Sequence, residues 1–329
     1  MKAIVTGGLG FIGSHLVERL LRDGFDVIVL DNLVTGRRSN LKGVWGNHHL
    51  LVVEADVADY DSVQMHFEGV DFVFHLAALA DIVPSIQRPM DYYHCNVTGT
   101  ISVLEAARAA GVERFVYVAS SSCYGIPTVY PTPETAPMQP QYPYALTKYL
   151  GEQIVLHWGK VYKMSAVSLR LFNVYGPRAR TTGAYGAVFG VFLAQKIANK
   201  PLTVVGDGYQ SRDFTYVTDA VEGLLVAAKS DLQNEIFNVG SGSTYTVNYL
   251  ADLIGGPRVY IPKRPGEPDR TWADISKIQR MLGWKPLVSF EEGVRRMLEQ
   301  IGDWVDAPVW TPESIAAATG DWFRYLSET

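Results

Sequence analysis

Cysteine is scarce: only Cys95 and Cys123 occur in 329 residues. Their placement fits neither a metal-ligand motif nor a disulfide framework, so both read as small buried apolar residues. The net charge is −5 and no basic block appears, which argues against nucleic acid as a partner. No apolar run reaches membrane-spanning length, and there is no internal repeat or low-complexity tract. With a first strand read from residue 2, no room is expected for a signal peptide, and cytoplasm is the expected compartment. Apolar residues are plentiful at 47%, against 19% charged, the balance of a globular chain with a large core. The length is comfortable for two domains.

Glycine is concentrated where it does most. The stretch VTGGLGFIGSHLVERLLRDG (5–24) places Gly7, Gly10 and Gly13 between an apolar run and an amphipathic one. A tight turn uses glycines too, but the context is specific. Residues 2–6 read as a buried strand, Phe11, Ile12, Leu16, Leu20 and Leu21 share one helical stripe, and residues 25–30 form a second strand ending at Asp31. Glycines at a strand-to-helix turn let a pyrophosphate approach the backbone at a helix N-terminus. An acidic residue at the tip of the second strand suits the adenosine ribose hydroxyls and repels a 2′-phosphate, favouring NAD over NADP. Arg37 and Arg38 nearby argue the other way.

Further strand-like runs fall at 50–54, 70–76, 114–120 and 165–171, alternating with helical patterns near 60–67, 91–110 and 143–163. This alternation predicts an α/β fold: a Rossmann-type, doubly wound parallel sheet. Residues 126–143 hold six prolines and read as an ordered loop. After residue 172 the regularity weakens into loops at 174–187, 206–213 and 262–270. The expected organisation is a cofactor domain over 1–172, with 213–240 returning to it, and a smaller α/β substrate-binding lobe with a tail over 173–329. Trp304, Trp310 and Trp322 in the tail read as packing anchors.

Tyr144 and Lys148 stand four apart on a predicted helix, so they project from one face. A phenol is a poor base at neutral pH, and a neighbouring ammonium together with the positive nicotinamide ring of an oxidised cofactor is expected to lower its pKa. Residues 114–125 (RFVYVASSSCYG) read as a strand ending in three serines, a place where a hydroxyl meets ligand in an open α/β sheet.

Taken together, TGGLGFIG, Asp31-Asn32, Asp56, HLAA (75–78), Asn96, ASSSCYG (119–125), Tyr144-x-x-x-Lys148, LFNVYGPR (171–178), GDGYQSRDFTYVTDA (206–220), FNVGSG (237–242) and RPGEPDRTWAD (264–274) resemble the extended short-chain dehydrogenase/reductases. Within them the chain is similar to the NAD-dependent nucleotide-sugar epimerase/dehydratase family, in its UDP-glucose 4-epimerase-like branch. The likeness runs from residue 1 to about 300 and leaves out the tail.

The resemblance implies NAD as cofactor and a nucleotide-diphosphate sugar as substrate. It implies Ser120 as catalytic hydroxyl, Tyr144 as acid/base and Lys148 on the nicotinamide ribose. Gly7, Gly10, Phe11, Ile12 and Gly13 match the pyrophosphate turn. Asp31 and Asn32 match the adenosine contacts, Asp56 and Val57 flank the adenine, and Leu76, Ala77, Ala78, Asn96 and Phe172 fall in further cofactor motifs. On the substrate side, Ser122 and Asn173 match sugar-site positions, Arg212 and Arg264 the diphosphate arginines, and Glu267 a carboxylate on the nucleotide ribose. Thr271 replaces a bulky tyrosine beside the sugar C2 substituent; its small size leaves room for an N-acetyl group, and its hydroxyl is expected to bond a carbonyl there. No metal is expected. Helices 91–110 and 143–163 are expected to pair in a homodimeric four-helix bundle.

The family's reactions diverge after a 4-keto intermediate. Dehydratases carry an Asp-Glu pair after the catalytic hydroxyl, and decarboxylases keep a glutamate; here Ser121 and Ser122 stand there. That favours 4-epimerisation. A nucleotide-sugar dehydrogenase or reductase, a dehydratase, a decarboxylase with its acid elsewhere, and a silent NAD-sensing regulator remain the alternatives.

Overall fold

The computed structural model describes residues 1–179 and 187–327. The part of the predicted 174–187 loop from 180 to 186 lies outside the described residues.

One seven-stranded parallel sheet organises the chain. Its strands are β1 (Lys2–Thr6), β2 (Asp26–Asp31), β3 (Leu50–Glu54), β4 (Phe72–His75), β5 (Arg114–Ser120), β6 (Ala166–Leu171) and β7 (Glu235–Val239). Their order across the sheet is β7-β6-β5-β4-β1-β2-β3. The chain therefore reverses direction between β1 and β4, and their carboxyl ends border a crevice at the point where open α/β sheets bind ligands.

Both faces of the sheet are apolar, and the side chains divide between them with period two. Val5, Val27, Val29, Val116 and Val118 pack under helices Phe11–Arg22 and Val217–Ala228. Ile4, Ile28, Leu30, Phe115 and Tyr117 face the other way, against helices Gly99–Ala110 and Pro143–Tyr162. A strand buried on both sides has to be a near-continuous apolar run, which is how these segments read.

A second core gathers residues from 175 to 307 around stacked aromatics. Tyr175 lies 4.4 Å from Phe189, and Phe290 lies 4.4 Å from Tyr245 and 5.1 Å from Phe214, all near-parallel. Burying each such ring stabilises by about 1.5–3 kcal/mol.

The helical stretch expected at 91–110 is not continuous. Helix Pro89–Tyr93 passes through a π-turn at His94–Thr98 before Gly99–Ala110 begins. The Asn96 side chain lies in this turn. Its Oδ1 accepts from the Leu79 amide at 2.8 Å, and its Nδ2 donates to Leu79 O and Thr147 Oγ1, both at 3.0 Å.

Candidate active site

A cleft of about 1170 Å³ opens over the carboxyl ends of the strands, between the sheet and the second core. It is lined by every residue singled out above for cofactor or substrate except Asn96. Asn96 is buried behind the wall, where both protons of its amide are held by Leu79 and Thr147, and it ties the loop after β4 to the helix Pro143–Tyr162.

The glycine turn is built by sterics. Gly7 takes φ +69°, and a Cβ there would lie 2.9 Å from the Ala77 backbone. At Gly13 a Cβ would meet Gly7 O at 2.2 Å, so only glycine lets the helix start pack on the turn. Gly10 forms the N-cap with no side-chain capping bond. The first amides of this 12-residue helix therefore face the cleft as anion donors, with the helix dipole behind them.

Asp31 closes the far end of this wall. Its Oδ2 accepts from the Leu9 amide and its Oδ1 from the Leu33 amide, each at 2.9 Å. Burial raises its pKa, and the two amides only partly offset this. A carboxylate fixed by one amide per oxygen keeps lone pairs for vicinal hydroxyls. Both nearby arginines are engaged elsewhere: Arg37 donates to Arg178 O at 3.1 Å, and Arg38 pairs with Glu54 at 2.9 Å. The turn, the uncapped helix start and the buried acid together fit a dinucleotide.

At the centre of the cleft, Ser120 ends β5 and its Oγ lies 2.8 Å from Ser122 Oγ. Helix Pro143–Tyr162, opened by proline at its first position, brings Tyr144 opposite. Its ring stacks 6.3 Å from Tyr142 and lies 6.5 Å edge-on from Tyr92. Burial pushes the Tyr144 phenol up to about 12; the Ser120 and Ser122 hydroxyls pull it down, and the Asp81 charge raises it. The expected lowering by Lys148 is absent. Lys148 Nζ sits 4.4 Å over the Tyr117 ring, and burial brings its own pKa down to about 8. Desolvation outweighs charge for both groups.

The helix Pro143–Tyr162 is tied to the sheet by a buried ion pair, Glu152–Arg170, at 2.6 Å. Arg170 also donates to Tyr124 Oη at 2.8 Å, at the end of the serine turn. Removing one partner of such a pair costs about 3–5 kcal/mol.

The opposite wall is made of side chains from distant segments. Arg212 sits on a short strand, Ser211–Arg212, paired with Tyr245–Thr246. Its Nη2 donates to Glu267 Oε1 at 2.7 Å, and Arg264 Nη1 lies 3.7 Å from Glu267 Oε2. Burial raises the Glu267 pKa, but Arg264 and Arg212 more than offset it and the net shift is downward. Two guanidinium groups around one carboxylate leave net positive charge facing the cleft.

Thr271 is bonded within the protein. Its hydroxyl donates to Asn173 Oδ1 at 2.7 Å and accepts from the Asp213 amide at 3.0 Å. In this arrangement its single proton is held by Asn173. Thr271 orients Asn173.

Residues missed in the sequence also line the cleft, among them Asp81, Tyr142, Trp310 and Trp322. Trp304 is a buried packing anchor as expected, but Trp322 also borders the site. No periodicity or motif could have pointed to Trp322, because it lies in the tail and reaches the cleft only through the tertiary fold.

Among the described residues there is no cluster able to hold a metal ion, and no helix is long and apolar enough to cross a membrane.

The NAD dependent epimerase/dehydratase family matches residues 3–240, and the GDP-mannose 4,6 dehydratase family matches 258–297. A putative UDP-glucose 4-epimerase of Methanocaldococcus jannaschii is 37% identical over 90% of this chain and 96% of its own length. UDP-glucuronic acid decarboxylase 1 of Arabidopsis thaliana is 34% identical over 91% of this chain and 69% of its own. The crystal structure of UDP-glucose 4-epimerase from Thermotoga maritima with UDP-glucose superposes with a TM-score of 0.86 at 35% identity, covering 91% of this chain and 98% of that one. The glycine turn, the Ser120–Tyr144–Lys148 centre and these matches agree: the chain belongs to the NAD-dependent epimerase/dehydratase family.

Proposed function

We propose that this chain is a nucleotide-sugar 4-epimerase acting on a UDP-hexose or a C2- or C6-modified UDP-sugar. The observation that carries the reading is the convergence of Ser120, Tyr144 and Lys148 in one cleft whose serine turn continues with Ser121 and Ser122. The turn supplies hydroxyls for one reversible oxidation and no carboxylate for a second proton transfer.

When bound, NAD would supply a reversible acceptor for the hydride of the sugar C4. The protein's own groups handle the proton and the positioning. Tyr144 takes the proton of the 4-hydroxyl and later gives it back. Ser120, within hydrogen-bonding reach of the phenol, steadies the sugar oxygen. Lys148 and Tyr144 hold the nicotinamide ribose. Gly7, Gly10, Phe11, Ile12 and Gly13 cradle the pyrophosphate, Asp31 and Asn32 take the adenosine ribose, and Asp56 and Val57 flank the adenine.

Arg212 and Arg264 hold the substrate diphosphate as bidentate forks, which lets the oxidised sugar turn over without leaving. Glu267 takes the nucleotide ribose. Thr271 contributes room rather than a hydrogen bond, and that room suits an acetamido group at C2. Exposed Met90, Tyr93, Leu146, Val161 and Tyr162 on the helices at 89–93 and 143–162 support a homodimer through those helices. Cytoplasm is the compartment we propose.

Asp81 favours a second reading. It adds a carboxylate to the cleft, close enough for its charge to reach Tyr144, and so offers an acid outside the serine turn for a second proton transfer. A panel of UDP-glucose, UDP-N-acetylglucosamine and UDP-glucuronate separates the two. We expect the C4 isomer to form with no net rise in reduced-nicotinamide absorbance. A 4-keto-6-deoxy or pentose product would overturn the epimerase reading, as would net reduction of NAD.

A further inference from the structure

The tail lies beyond the family-matched residues, which end at 297, yet it enters the cleft. Its last helix, Gly320–Leu326, bridges the two walls. On the cofactor side, Asp321 accepts from Gln87 Nε2 at 2.8 Å, at the end of the helix Ile82–Gln87 that begins beside Asp81. On the substrate side, Trp322 Nε1 donates to Pro265 O at 2.7 Å. The indole itself is 4% exposed. The Arg264 guanidinium lies 5.2 Å over it, and Tyr142 lies 6.5 Å away, itself stacked on Tyr144.

A single side chain thus touches the arginine assigned to the diphosphate and the ring that backs the catalytic phenol. An arginine side chain carries several free torsions, and an aromatic face beneath it restricts the guanidinium to one plane. The indole hydrogen bond to Pro265 fixes that face relative to the loop carrying Arg264.

We propose that Trp322 is a positioning residue of the substrate site. It holds Arg264 in register for a nucleoside diphosphate and braces the Tyr142–Tyr144 pair, so that the tail is a working part of the active site. The proposal rests on the reading of Arg264 as a diphosphate ligand. It predicts that UDP binding depends on the tail far more than NAD binding does, because among the described residues the glycine turn and Asp31 share no hydrogen bond or ion pair with this helix, and Tyr142 stands between the indole and Tyr144.

The test compares the full-length wild type with Trp322→Ala, Trp322→Phe and the milder Gln87→Ala. UDP and NAD affinities are measured calorimetrically, alongside thermal melting. Trp322→Ala should weaken UDP binding about tenfold and leave NAD affinity within about twofold. Trp322→Phe, which keeps an aromatic face, should recover most of the loss. Gln87→Ala, which removes an exposed contact, should give a smaller loss in the same direction.

UDP affinity unchanged in Trp322→Ala overturns the proposal. So does parallel loss of UDP and NAD affinity without rescue by phenylalanine, since that describes a purely structural residue. Wild-type protein that binds UDP through Trp322 but interconverts no UDP-sugar would overturn the epimerase reading and leave the role of Trp322 supported.

Discussion

The two walls of the cleft recognise their ligands by different means. The wall over β1, β2 and β4 works through backbone: glycines admit a close approach, amides at a helix start face the cleft, and one acid is fixed by two amides. The wall facing it works through side chains brought from positions as far apart as Asn173, Arg212, Glu267, Thr271 and Trp322. A backbone site is rigid because the sheet holds it. A side-chain site depends on each group's neighbours, as the Glu267–Arg212 and Thr271–Asn173 contacts illustrate. One wall should therefore tolerate substitutions in the other.

The largest expected effect is on chemistry alone. Tyr144→Phe removes the proton-carrying oxygen and should lower kcat by about 10²–10⁴-fold while NAD stays bound. Turnover near the wild-type rate would remove Tyr144 from its role. Next comes the substrate wall. Arg212→Ala should raise KM for the UDP-sugar by about 10–100-fold with NAD affinity unchanged, since a charge-assisted bond is lost and Glu267 keeps only Arg264. Equal losses in both affinities would mean the walls are not independent.

The cofactor wall yields a smaller effect. NADP should support turnover at least about tenfold less well than NAD, because a 2′-phosphate would meet the Asp31 carboxylate while Arg37 and Arg38 are held elsewhere. Equal use of the two cofactors would show that one of those arginines is recruited.

The smallest effect concerns pH. The Asp81 charge raises the Tyr144 pKa, so Asp81→Asn lets it fall. Oxidation needs the phenolate, so the rising limb of kcat/KM against pH should move to lower pH. A limb that stays in place, or moves upward, would contradict that coupling.

The difference between the walls also explains what could be read from sequence. The sheet was legible because strands buried on both faces must be apolar runs, and the glycine turn because its spacing is local. Tyr144 and Lys148 were legible as a helical pair, but the environment was not: a four-residue spacing says nothing about desolvation, which pushes the Tyr144 phenol up and the Lys148 ammonium down. Asn96 stood inside a recognisable motif, yet its amide serves the Leu79 backbone, a contact set by the π-turn. Arg212, Glu267 and Thr271 could be assigned only through family resemblance, since nothing local marks residues 55 or more positions apart as neighbours. Trp322 carried no local signal beyond being a tryptophan in a tail.

The central claim is that this cleft moves a proton only at a sugar hydroxyl. Turnover of UDP-glucose in deuterium oxide, followed by mass and NMR analysis of the product, tests it directly. The expected product is the C4 isomer with no deuterium on any ring or exocyclic carbon. Deuterium at C5 or C6 would mean that a second acid–base pair operates in the cleft, and would contradict it.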